Sequence, residues 1–139
     1  LGHSGWRGTV AGMGACMVRR MAVEFGTRPE ELLVAIGPSI GACCYEVDEA
    51  VRQEFAVQEA LDPDSFFYRA PREKYRLDLW EANRRILIQA GVLPEHITTA
   101  GICTQCNSRL LWSHRATGGQ RGGLAAFLRV LSKEEENGD

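Results

Sequence analysis

Apolar side chains recur at Val10, Met13, Met17, Met21 and Phe25, three or four residues apart. This spacing commits the front of the chain to a helix over residues 8–25 that packs by one face and stops at Gly26. The stretch leading into it, HSGWRGT, crowds His3, Trp6 and Arg7 among glycines, which let the backbone turn tightly into the helix. The first amides of that helix and its positive dipole end would then lie beside His3 and Arg7, a corner that attracts anions.

The remaining elements follow from capping and periodicity. In TRPEEL, Thr27 can cap a short helical turn with Glu30 three residues on, and LLVAIG reads as a continuous apolar, buried strand ending at Gly37-Pro38. PSIGACCYEV is a loop, after which Asp48 caps a helix to about residue 57 with Val47, Ala50, Val51 and Phe55 inward. DPDSFFYRAPREKY, broken by two prolines, reads as a loop carrying a short strand. Asp78 caps LWEANRRILIQAG, whose Leu79, Asn83, Ile86, Leu87 and Ala90 share a face and whose Gly91 closes it. HITTAGICT and RLLWSHR read as strands, LAAFLRVL as a final strand or short helix, and SKEEENGD as a solvated tail.

Helices and strands mixed without regular βαβ alternation indicate an α+β fold, a mixed β-sheet core flanked by helices. At 139 residues and 45% hydrophobic content, the chain can bury one core and reads as one domain. Its 16 basic and 18 acidic residues, net charge −2, offer no basic face for a phosphate backbone, so nucleic acid is excluded as a main partner. No apolar run approaches the roughly 20 residues that span a bilayer, which excludes a membrane partner and indicates a cytoplasmic protein with reduced cysteines. Leu1 and Gly2 provide neither a cap nor a start, so the chain is expected to be the C-terminal part of something longer. The oligomeric state has no signature here.

Several residues could carry chemistry. GMGACM lacks the third glycine of a dinucleotide loop and GxxxxGK[ST] is absent, which argues against nucleotide binding by either route. His3 can ligate a metal as neutral imidazole, and Arg7 four residues on can fork-bond a phosphate or carboxylate. Arg115 and Arg121, next to a glycine-rich bend, could form a second anion cradle. Cys43, Cys44, Cys103 and Cys106 could close a tetrahedral zinc site, but adjacent Cys43 and Cys44 would point apart if extended, so only one is expected to share an ion with CTQC. A redox role for CTQC would need a helix after Cys106, where NSRLLW reads as loop then strand. Cys16 and one of Cys43 and Cys44 read as small buried hydrophobes. His96, in a surface turn, and His114, lining a pocket or strand face, are not expected to converge with His3 on copper.

HSGWRGT, IGPSIGACCYEV, LDLWEAN, ICT and WSHR followed by a Gly-rich turn, in this order over residues 2–130, resemble the YfiH/YlmD-like family, once labelled polyphenol oxidase or laccase-like. The resemblance implies a YfiH-like α/β/α arrangement, with residues 1–131 one domain lacking its N-terminal part and residues 132–139 a disordered acidic tail. It implies a purine nucleoside phosphorylase acting on inosine, adenosine and methylthioadenosine with phosphate as co-substrate, with adenosine deaminase activity as well. The implied zinc site, with copper the other candidate metal, uses two histidines and one cysteine. His3 matches one histidine, and the other two ligands lie in segments this chain does not contain. Arg7, Arg115 and Arg121 would bind substrate, Arg7 also acting in catalysis, although Arg121 stands two residues earlier than the arginine of the family's TGR. The alternatives are a scaffold half holding structural zinc through its cysteines and, further off, a copper polyphenol oxidase.

Overall fold

The computed structural model describes residues 1–57, 61–120 and 122–130. The expected tail over residues 132–139 and Arg121 lie outside them. In chain order the helices are α1 (Trp6–Val10), α2 (Met13–Phe25), α3 (Glu49–Ala56) and α4 (Leu79–Gln89). The strands are β1 (Val34–Ile36), β2 (Glu46–Val47), β3 (Phe67–Ala70), β4 (Lys74–Leu77) and β5 (Ile97–Thr99).

The α+β class expected from the sequence holds, with parallel and antiparallel pairings in two separate sheets. β1 and β5 pair in parallel, Val34 opposite Ile97, while β2, β4 and β3 form an antiparallel sheet in that order. The first sheet packs on Val18, Leu87 and Val92. β1 is therefore half-buried rather than enclosed, and Leu33 before it is exposed. The second sheet holds the main core, where Phe55 and Phe66 meet edge-on at 5.6 Å above Leu77, Leu79 and Ile86.

α4 follows its sequence signal closely. Asp78 accepts from the amides of Trp80 and Glu81, both at 3.0 Å, and satisfies two of the donors that a helix start leaves orphaned. Leu79, Asn83, Ile86 and Leu87 are buried.

The single helix expected over residues 8–25 is instead two helices. Gly12 adopts φ 69°, a left-handed conformation that costs glycine little and an L side chain more, and the helical path breaks there. The break also changes the inward face of α2 from the methionine stripe to Gly14 and Val18. A Cβ on Gly14 would stand 3.4 Å from Ile86 and Leu87, so α2 and α4 approach closely at this point. Met17, Met21 and Phe25 are exposed in consequence, and so is Cys16, expected as a buried hydrophobe.

Other expectations are corrected by tertiary pairing. Residues 62–77 carry two paired strands, β3 and β4, where a loop with one short strand was expected over residues 62–75, because Phe66, Phe67 and Leu77 are drawn into the core. Asp48 stands at the start of α3 without capping it, since its carboxylate pairs with Lys74, and Ala50 is exposed. The turn after α2 begins at Pro29 and uses no side-chain cap, so Thr27 is not one. RLLWSHR folds as turns rather than a strand, and residues 124–130 of LAAFLRVL form no regular element, with Phe127 and Val130 exposed; neither segment finds a strand partner among the described residues. Among those residues no helix is long and apolar enough to cross a membrane.

Candidate functional site

A polar lock sets the HSGWRGT corner on α4. Ser4 Oγ donates to Asn83 Oδ1 at 2.7 Å, and Asn83 Nδ2 donates to Thr9 Oγ1 at 3.0 Å and to the Leu79 carbonyl at 2.8 Å. Thr9 Oγ1 in turn donates to the Gly5 carbonyl at 3.0 Å. Thr9 is fully buried, and a buried polar group left unpaired is costly, so these bonds specify one placement of the corner. The lock presents Trp6 and Arg7 on one side of α1. At five residues, α1 is too short to supply the anion-binding helix end expected from the sequence.

Trp6 opens on a cleft of about 300 Å³ lined also by Tyr45, Asp48, Val51, Lys74 and Arg115. The Arg7 guanidinium lies 4.4 Å from the centre of the Trp6 ring, and that of Arg115 lies 5.3 Å from the Tyr45 ring. Arg115 Nη1 also donates to the Glu46 carbonyl at 2.9 Å. Its turn is built on buried Ser113, whose Oγ accepts from the Ala116 amide at 3.3 Å and whose carbonyl accepts from Thr117 Oγ1 at 3.0 Å. Burial pushes the Tyr45 hydroxyl above its ordinary range, and the positive charges of Arg115 and Arg7 oppose that rise.

A second group of chemical side chains lies where the PSIGACC loop meets CTQC. The sulfurs of Cys43, Cys44, Cys103 and Cys106 all lie within 4.8 Å of one another. Cys43 and Cys44 were expected to diverge, but they sit in a turn, not an extended segment, and both reach Cys106, at 3.6 and 3.4 Å. Gly41 admits this packing because a Cβ there would stand 2.9 Å from the Trp80 ring and 3.4 Å from Cys103. Trp80 is held in turn by its Nε1–H donating to Ser39 Oγ at 2.6 Å. Burial works against ionisation of Cys103, but the amides of Gly41 and Cys106, the Cys43 thiol and the amide of Gln105 outweigh it and bring the thiol down to about 6. Burial and the neighbouring thiols of Cys106, Cys43 and Cys103 push Cys44 up to about 12.

The structure thus sets Arg7 and Arg115 over two rings of one cleft, Trp6 and Tyr45, and gathers all four cysteines. His3 is exposed beside Gly5, and His114 lies against Gly119. Among the described residues, the cysteine group is the one cluster of three or more His, Cys, Asp or Glu side chains able to share an ion, and His3, His96 and His114 are outside it. The described residues therefore do not make up the two-histidine, one-cysteine site that the resemblance implies. Sequence reasoning did not single out Tyr45 and Lys74 as cleft residues. The signal for Tyr45 lay in CCYEV, an aromatic beside the cysteines, whereas Lys74 had none.

Residues 1–131 match the family described as "Multi-copper polyphenol oxidoreductase laccase". The chain is 40% identical over 130 residues to the purine nucleoside phosphorylase YlmD of Geobacillus stearothermophilus, a match covering 92% of this chain and 47% of that protein. It is 35% identical over 126 residues to the purine nucleoside phosphorylase YlmD of Bacillus subtilis, covering 91% and 45%. The crystal structure of the hypothetical protein YfiH of Bacillus licheniformis is similar with a TM-score of 0.80 at 36% identity, over 85% of this chain and 44% of that one. The chain spans about half the length of the curated relatives it matches.

Proposed function

The chain belongs to the multi-copper polyphenol oxidoreductase laccase family, the YfiH family, and we propose that it supplies the substrate-facing arginines and aromatics of a cytoplasmic purine nucleoside phosphorylase. The observation that carries this reading is that Arg7 lies over Trp6 and Arg115 over Tyr45, two rings that line one cleft. A relative 40% identical bears the name purine nucleoside phosphorylase, and the cleft has the chemistry such a reaction asks for. Its volume of about 300 Å³ is at the lower end of the range that holds a small organic ligand.

In phosphorolysis a phosphate oxygen attacks the sugar C1′ while the C1′–N bond breaks, and the bonding pair leaves with the purine. Inosine and phosphate become hypoxanthine and ribose 1-phosphate. Two anionic species must be held together, the phosphate and the departing base. A guanidinium placed over an aromatic ring has N–H groups in a fixed fork that can bond phosphate oxygens. Arg7 and Arg115 so placed would position phosphate and offset its charge, with Arg121 a third candidate. Trp6 and Tyr45 supply flat apolar surface on which a purine stacks. Adenosine and methylthioadenosine are substrates of the same class, and deamination of adenosine would be a second activity of the whole protein. His3 enters this reading as a residue at the mouth of the same corner.

The test is phosphate-dependent release of hypoxanthine from inosine by the full-length protein, compared with its Arg115→Ala variant. Loss of phosphate saturation in the variant supports the reading, and unchanged kinetics overturn the assignment of Arg115.

A further inference from the structure

We propose that Cys43, Cys44, Cys103 and Cys106 together bind one zinc ion in a structural, all-thiolate site. Four sulfurs placed tetrahedrally at ~2.3 Å from a shared zinc lie about 3.8 Å from one another. The Cys106 sulfur already stands 3.4 Å from that of Cys44 and 3.6 Å from that of Cys43, and no pair of the four exceeds 4.8 Å. Changes in sulfur–sulfur distance of about 1 Å or less convert this cluster into a coordination shell. Tetrahedral sulfur sets select zinc or iron–sulfur chemistry, and a single compact four-sulfur shell with no room for bridging sulfides favours zinc.

The backbone, not the thiols, builds this arrangement. Ser39 and Cys103 form a parallel bridge, with the Ser39 amide donating to the Ile102 carbonyl at 3.3 Å and the Thr104 amide donating to the Ser39 carbonyl at 2.9 Å. On one side the turn is closed by the amides of Cys44 and Tyr45 donating to the Gly41 carbonyl at 2.9 and 3.0 Å. On the other, the Asn107 amide and Nδ2–H both donate to the Cys103 carbonyl, at 3.1 and 2.8 Å. Both turns would hold their sulfurs in place before any ion arrives, which lowers the ordering cost of binding.

The polar surroundings suit thiolates. The Gly41 amide donates to Cys103 Sγ at 3.3 Å. A neutral thiol is a weak acceptor, whereas a metal-bound thiolate is stabilised by such an amide donor. Arg76 donates to the Cys43 carbonyl and brings a positive charge next to a shell whose net charge would be −2. Binding releases the thiol protons and ties the loop that carries Tyr45 to the turn after β5, two segments joined by little regular structure. This site lacks His3 and is independent of the phosphorylase reading.

The experiment is elemental analysis of the full-length protein, purified under reducing conditions, together with visible spectroscopy after replacing zinc by Co²⁺. The parent protein is expected to hold a zinc whose cobalt form shows thiolate-to-metal charge transfer and the d–d bands of tetrahedral sulfur coordination. Cys106→Ser and Cys43→Ser, at exposed positions that tolerate the change, should each lose one equivalent of zinc and these bands, while His3→Ala keeps the bands. Chelation should lower the melting temperature of the parent and leave that of Cys106→Ser unchanged. Equal zinc content and equal cobalt spectra in parent and Cys106→Ser would overturn the proposal, as would iron in place of zinc or a Cys44–Cys106 disulfide found by mass spectrometry in the reduced preparation.

Discussion

Ser4 donates a hydrogen bond to Asn83 at 2.7 Å, joining positions 79 residues apart in sequence. Through this contact a glycine-rich corner with little regular structure takes its place against the best-formed helix of the chain. Asn83→Leu removes the acceptor of Ser4 and a donor to Thr9 inside the fold, leaving these hydroxyls with each other and the Gly5 carbonyl, and should cost about 1–3 kcal/mol. Urea unfolding of the variant reads this, and a loss below half a kcal/mol would mean that the corner is held by packing alone.

Close packing at Gly41 makes a second prediction. A methyl group there would press on the Trp80 ring from 2.9 Å, so Gly41→Ala should destabilise by about 1–3 kcal/mol. Combining it with Trp80→Leu removes the clash, and the double variant should lose less than the sum of the singles in denaturant titrations. Additive losses would place the strain elsewhere.

The aromatic cluster carries the largest stability effect. Phe55 is fully buried and meets Phe66 and Phe67 at 5.6 and 5.4 Å. Phe55→Ala should therefore cost about 3–5 kcal/mol by loss of contact and cavity formation. Phe127→Ala, at a side chain 94% exposed, should stay within about 0.5 kcal/mol, and calorimetry on both variants checks the contrast.

Arg115 is predicted to be replaceable only poorly by lysine. An ammonium has no planar fork with which to contact the Tyr45 ring and bond a phosphate bidentately. Arg115→Lys should raise KM for phosphate by about 10–100-fold, equivalent to the ~1.5–3 kcal/mol of one charge-assisted hydrogen bond. KM for the nucleoside should move less, and an equal rise in both would place Arg115 in general folding rather than at the phosphate.

Local signals made α4 legible, since Asp78 caps it, its apolar face is periodic and Gly91 ends it. The break at Gly12 was not legible, because one glycine within a periodic run leaves the pattern intact while allowing the chain to turn. The β3–β4 pairing was hidden in a proline-marked segment, where only the tertiary burial of Phe66 and Leu77 selects strand over loop. Arg7 and Arg115 could be nominated from residue type and surroundings, but their placement over Trp6 and Tyr45, two rings of one cleft, depends on long-range packing that no local window encodes. The divergence expected for Cys43 and Cys44 assumed extended backbone, and the turn closed on Gly41 reverses it.

The most direct measurement is the reaction of the full-length protein with inosine, followed by separation of hypoxanthine and ribose 1-phosphate, in the presence and absence of inorganic phosphate. A purine nucleoside phosphorylase gives both products in equal amounts only when phosphate is present, and Arg7→Ala together with Arg115→Ala abolishes them. Hypoxanthine release that is independent of phosphate, or undiminished in the doubly substituted protein, would contradict the placement of the phosphate site between these two arginines.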